Sequence, residues 1–199
     1  MKKVISFLAA FLMMLSAAPC SAAEAGKGTA QKAVQETIDQ LVAAVEKYGK
    51  EEQLTERRDK LREIIEPRFD FEEMAKRSLG RQWKDRTEAE QVEFVSVFSE
   101  LLAKTYLDKI ENIRSNMVSI TGEKLAPPKA LVKTKVEYKG DTFPLDYKLL
   151  HEGNEWKVYD VVIENIGLVS NYRNEFAGII RKNDFAGLVS QLKAKVQKH

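Results

Sequence analysis

The sequence predicts an α+β domain, with helices packed on one side of a four-stranded antiparallel sheet. Three observations predict it. Apolar residues recur at three- and four-residue spacing from Val34 to Ile113, the period switches to two after Met117, and helical spacing returns beyond Gly167.

The chain opens with Met1, Lys2 and Lys3, an apolar run from Val4 to Ala18, and small residues at Ser21, Ala22 and Ala23. That order reads as a cleavable secretory signal peptide over residues 1–23. The apolar run is about 15 residues, short of the roughly 20 that a membrane-spanning helix needs. A lipid-modified N-terminus at Cys20 is disfavoured by Pro19 and by Ala17 standing where a leucine is wanted. The expected mature chain, residues 24–199, is one soluble domain of about 176 residues, enough for one core.

Cleavage removes the only cysteine, which leaves packing to hold the fold without an internal disulfide or a thiolate metal site. The full chain carries 32 basic and 30 acidic residues, and losing Lys2 and Lys3 balances them. Phosphate-backbone binding wants a basic excess, so nucleic acid is not the expected partner.

A first amphipathic helix is predicted from Val34, Ile38, Leu41, Val42 and Val45. A second runs from Leu54 to Glu66, where Pro67 stops it. Asp70, with Glu73 three residues on, starts a short third helix to about Leu79. Thr87 and Glu90 form an S/T-x-x-E capping box that opens the longest helix, expected to reach about Asn116.

Val118 and Ile120 begin the sheet, and Pro127-Pro128 separates them from a second strand in which Val132, Val136 and Tyr138 alternate with Lys133, Lys135 and Glu137. Gly140-Asp141 turns into a third strand, with Phe143, Leu145, Tyr147 and Leu149 on one face. Gly153-Asn154 turns into a fourth, Glu155 to Glu164. Lys133, Lys135 and Lys148, interleaved with Glu137 and Asp146, mark the outer face as solvated. Gly167 ends the sheet, and two helices, Leu168 to Arg181 and Asp184 to Val196, close the chain.

The catalytic inventory is thin. His151 and His199 are the only histidines, so neither a hydrolase triad nor a zinc site is supported. Acid pairs such as Glu72 with Glu73, or Glu36 with Asp39, fall on amphipathic helices where carboxylates are normally solvated. The isolated glycines make no phosphate-cradling loop. What stands out is an apolar surplus: a wide stripe on the long helix, and a strand from Trp156 to Ile163 that is apolar on both faces except at Lys157 and Asp160. Either all of it is core, or a largely apolar ligand completes the interior.

Four stretches decide between the two. They are Phe69 to Ala75 running on to Leu79-Gly80-Arg81-Gln82-Trp83-Lys84; Phe94 to Tyr106, reading F-x-x-x-F-x-x-L-L-x-x-T-Y; Trp156 to Val161, reading W-K-V-Y-D-V; and Asn171-Tyr172-Arg173 with Phe176. In this order they resemble the MlaC, or toluene-tolerance, family of periplasmic phospholipid-binding proteins. The segment from Glu164 to Val169 departs from that family's glycine near position 165 and serine near 167.

The resemblance implies a helix-and-sheet domain with a deep apolar cavity for phospholipid acyl chains, no catalysis and no cofactor beyond the transported lipid. It also implies two partners, an inner-membrane ABC transporter carrying an MCE-type subunit and an outer-membrane lipoprotein complex, between which lipid is shuttled to maintain outer-membrane lipid asymmetry. Periodicity puts Phe98, Leu102, Tyr106 and Ile110 of the long helix opposite Val136, Tyr147 and Leu149 of the sheet as the lining. Ile166, Tyr172 and Phe176 follow at its end. Arg173 is the candidate for the head group, with a structural ion pair to a helix carboxylate as its other reading. The competing functions are a periplasmic adaptor or chaperone-like protein with a filled core, and an enzyme working with carboxylates alone.

Overall fold

A computed structural model describes residues 29–198; the expected signal peptide, Cys20 and His199 lie outside the described residues. Helix α1 (Thr29–Lys47) buries Val34, Ile38, Leu41, Val42 and Val45, the predicted stripe. Helix α2 (Leu54–Ile65) gives way at Pro67 to a single 3-10 turn. The Asp70 carboxylate accepts the Glu73 amide at 2.8 Å and opens α3 (Phe71–Leu79), as its position predicts.

Both bonds of the capping box form at the start of α4 (Glu88–Ile110). Thr87 N–H donates to the Glu90 carboxylate at 2.8 Å, and Glu90 N–H to the Thr87 hydroxyl at 3.3 Å. These bonds hold the Glu90 carboxyl below its ordinary range. The helix stops six residues short of the predicted end because its bonding tightens to i+3 spacing, Asn112 N–H to Lys109 and Ile113 N–H to Ile110.

The sheet has five strands, not the four the sequence suggests: β1 (Val118–Ala126), β2 (Lys129–Tyr138), β3 (Asp141–Glu152), β4 (Glu155–Ile163) and β5 (Ile166–Gly167). They lie in sequence order and every neighbouring pair is antiparallel. The extra strand is two residues long. Glu164 and Asn165, at φ of 49° and 68°, reverse the chain so that Ile166 and Gly167 pair with Ile163 and Val162. Two residues have no period, so this strand leaves no alternation to read.

A bulge at Tyr159 explains the double-faced apolar strand. Val158 pairs with Leu149 and Asp160 with Lys148, which leaves Tyr159 as the extra residue. The parity therefore flips: Trp156 and Val158 before the bulge and Val161 and Ile163 after it all join the inner cluster, while Asp160 takes the opposite face beside Lys148, where it is buried. A second bulge at Thr121 does the same for β1, keeping Val118, Ile120 and Leu125 on the inner face.

Helix α5 (Leu168–Lys198) breaks at Asn183–Asp184, where the sequence places a boundary between two helices. Asp184 restarts it by accepting the Gly187 amide at 2.9 Å. The buried Asp160 joins this helix to the sheet. One carboxylate oxygen accepts the Val169 amide at 3.0 Å in the first turn of α5, and the other meets Lys148 of β3 at 2.9 Å. Gly167 gives the carboxylate room, since a Cβ there would lie 2.9 Å from it.

Asp160→Ala therefore removes a helix cap and strands Lys148. Lys148 is 39% exposed and recovers hydration, so the expected loss is about 2–4 kcal/mol rather than that of a fully buried pair. Urea denaturation measures it; Gly167→Ala is expected to destabilise through the same carboxylate.

Candidate functional site

The described interior divides into three apolar clusters. One joins α3, α4 and α5 around Phe94, Phe98 and Phe176; one joins α1 to the sheet; the third joins α1, α2 and the end of α4. Half-buried Phe69 and Ile113 are shared between neighbouring clusters. The strongest packing of α4 is with α5, α3 and α2, whereas the sheet takes α1, α5 and α3 as its helical neighbours. A seam consequently runs between α4 and the sheet.

Strand register lays out the inner face in rows. Leu125, Ala130, Leu149 and Val158 stand abreast, and the last three are buried in the cluster that includes Ala33, Val34 and Ile38 of α1. In the next row Val132 and Val161 are buried, but Tyr147 between them keeps accessible surface. Further along, Ile120, Leu145, Ile163, Val118, Val136 and Phe143 are all half-buried. Helices seal one end of the sheet and leave the other under-packed, with Ile113 and Leu168 at its border. Full burial of such a side chain is worth about 1.5–3 kcal/mol, so several kcal/mol of hydrophobic stabilisation remain open to a ligand that covers this face.

Tyr147 has surface left, yet burial alone pushes its phenol up to about 12. Tyr147 therefore stands at the border between the packed rows of the inner face and its under-packed end. On the helical side, burial also raises the phenols of Tyr106 and Tyr172, whose hydroxyls bond each other, with Thr105 as a further partner of Tyr172.

The ten lining candidates divide evenly. Val136 and Tyr147 stand on the under-packed face, Tyr106 and Ile110 are half-buried on α4, and Ile166 is 62% exposed after the β4–β5 turn. Phe98, Leu102, Leu149, Tyr172 and Phe176 are packed core. Phe98 meets the rings of Tyr172 and Phe176 edge-on at 5.1 and 5.5 Å, which builds a solid helical wall. Arg173 donates from Nε to the Arg77 carbonyl at 2.7 Å, tying down the C-terminus of α3. Ile163, which the bulge at Tyr159 brings to the inner face, is not among the candidates because a bulge has no periodic signal; Ile120 and Leu145 stand on the same half-buried face.

Other chemistry is sparse. Among the described residues no group of three or more His, Cys, Asp or Glu could hold a metal ion. Glu73 pairs with Arg77 at 2.8 Å, Glu36 with Lys32 at 3.7 Å, and Asp39 accepts from Gln35. The His151 ring lies 4.8 Å from that of Trp156, tilted at 57°. Two surface depressions lie away from the seam, one along α4 at Glu88, Val92 and Ser96 and one beside the β2–β3 turn, and both are open to solvent.

An antiparallel sheet whose apolar inner face is only partly covered by helices defines an α+β domain with an under-packed apolar seam. Residues 31–194 match the model of the MlaC protein family, and the chain belongs to that family. It is 23% identical over 138 residues to the intermembrane phospholipid transport system binding protein MlaC of Haemophilus influenzae, and 26% identical over 128 residues to the toluene tolerance protein ttg2D of Pseudomonas putida. These alignments cover 66% and 63% of this chain and span 64% and 60% of the length of those relatives. A phospholipid-binding protein of Ralstonia solanacearum, solved with a phospholipid bound, superposes with a TM-score of 0.77 at 28% identity, over 85% of this chain and 97% of that one.

The Tyr147 phenol supplies a spectroscopic test of the crevice. A raised value in the folded state means that the unfolded chain loses this proton first, so stability falls as pH rises from about 10 to about 12. Ultraviolet titration of the folded protein is expected to show one tyrosine ionising near the top of that window. Tyr147→Phe should remove that step and make the alkaline fall in stability shallower, the raised phenols of Tyr106 and Tyr172 supplying the rest.

Proposed function

We propose that this chain is a periplasmic phospholipid carrier. The observation that carries the reading is the under-packed apolar face of the sheet, in a fold whose solved relative holds a phospholipid. The half-buried side chains from Val118 to Ile163, with Tyr106, Ile110 and Ile113 across the seam, form the lining, and Ile166 stands at its edge.

Energetics make such a carrier necessary and set what it must do. Two acyl tails contain about 30 methylenes, and exposing them would cost roughly 24 kcal/mol at 0.8 kcal/mol each. A bilayer gives the tails that same stabilisation, so the crevice need only match it for exchange to be nearly balanced. Direction then comes from the partners. We assign the donor and acceptor roles to an inner-membrane ABC transporter with an MCE-type subunit and an outer-membrane lipoprotein complex, with the chain exported to the periplasm by the signal peptide at residues 1–23. Lipid is handed over with no bond made or broken, and phospholipid is the only bound group required.

Native mass spectrometry of the purified protein, followed by organic extraction, tests this reading. A phospholipid adduct is expected, and a bare mass under mild conditions would contradict it. Val136→Glu puts an unpaired carboxylate on the lining; co-purified lipid is expected to fall at least tenfold while circular dichroism stays unchanged.

A further inference from the structure

Helix α4 reaches the sheet layer by two routes. One runs through α5 and the buried carboxylate of Asp160 to β4, and the other runs through α2 to α1, which lies on β1 and β2. The second route is a row of ion pairs. Arg62 of α2 holds Glu100 of α4 with both terminal nitrogens, at 2.8 and 3.1 Å. Arg58 donates from Nε to Glu111 and meets Asp108 at 2.6 Å. Arg57 lies 3.8 Å from Glu111 and donates to the Tyr48 carbonyl at 2.9 Å, so one guanidinium joins α2 to the ends of α1 and α4.

The two routes differ in strength. Asp160 is 4% exposed, whereas the side chains of Arg58, Arg62 and Glu100 are between 31% and 40% exposed. Charges parted there regain water, and each such pair favours closure by no more than about fivefold. Arg57 and Glu111 are more buried, but Arg57 Nε finds no acceptor among the described residues, a cost of the closed arrangement that opening relieves. The apolar cluster beneath the row, around Leu61 and Leu107, is the smallest of the three and has no aromatic ring. We propose that the α2–α4 ion row is the latch of the seam: closed, it holds α4 against the layer of α1 and the sheet, and parted, it lets that layer move off α4 so that acyl chains enter and leave. The inference rests on the phospholipid-carrier reading. Asp160 and β4 keep the two layers joined while the latch is open.

The test loads the protein with pyrene-labelled phosphatidylcholine and mixes it with vesicles of phosphatidylethanolamine and phosphatidylglycerol that contain a lipid-bound quencher, so that loss of fluorescence reads the release rate. Arg62→Glu and Glu100→Arg each replace the bidentate pair by like charges, and release is expected to rise about threefold to tenfold. The double reversal restores the pair with its charges exchanged and should return the rate to within about twofold of wild type. Lipid content at equilibrium should stay at the wild-type level throughout, since a latch speeds entry and exit together, whereas damage to the lining lowers the content. Lys193→Glu, which reverses an exposed pair with Glu93 inside the helical layer, should leave release unchanged. Where a reversal prevents folding, Glu100→Gln removes the charge without repulsion, and a rise of about twofold to fivefold is expected. Unchanged release in folded single variants, or release that stays fast in the double reversal, would overturn the latch and leave the carrier reading intact. No uptake of the labelled lipid by wild type would overturn the carrier reading and the latch with it.

Discussion

The two halves of this molecule are held in place by one carboxylate. Asp160, 4% exposed, receives the first turn of α5 on one oxygen and Lys148 of β3 on the other. Helix α5 then carries Tyr172 and Phe176 against Phe98 of α4, so the position of the whole helical wall relative to the sheet passes through this contact. Secondary ties agree with it: Phe69 bridges to Val158, Asp70 N–H donates to the Val158 carbonyl at 2.9 Å, and Arg68 donates to the Trp156 carbonyl at 2.7 Å. All of them grip β4. The α3–α5 wall is thus tied to the sheet through β4, while α1 packs on β1 and β2.

That arrangement resolves a conflict facing any lipid carrier. A cavity large enough for acyl chains forfeits core packing, and the loss must be offset elsewhere. Here the aromatic cluster of α3, α4 and α5 and the α1–sheet cluster each form a dense core of their own. The seam between them can stay unfilled because neither core depends on it. On the proposed carrier reading, lipid entry adds burial to a protein that is already folded, as balanced exchange with a membrane requires.

Much of this was legible in the sequence because local rules dominate locally. The helix stripe of α1, the Asp70 and Thr87 caps, the stop at Pro67 and the break before Asp184 are each set by a few residues and their immediate backbone. The lining was less legible. Phe98 and Phe176 have the spacing of inward residues, and they do point inward, but toward each other; periodicity gives the face of a helix and not its partner. On the sheet, the bulges at Thr121 and Tyr159 shift the inner face by one residue, which brings Val161 and Ile163 inside and frees Asp160 for α5. A contact made across 9 residues by a carboxylate and an amide leaves no pattern in the sequence.

The central claim is that lipid occupies the seam against the under-packed half of the sheet. Methyl-resolved NMR of the protein loaded with a phospholipid spin-labelled on its acyl chain tests this most directly. The account predicts strong broadening of the Ile120, Val136, Leu145 and Ile163 methyls, with Leu188 and Leu192 of the helical core spared. Broadening centred on Leu188 and Leu192, or on exposed Val92 of α4, would place the lipid elsewhere and contradict it.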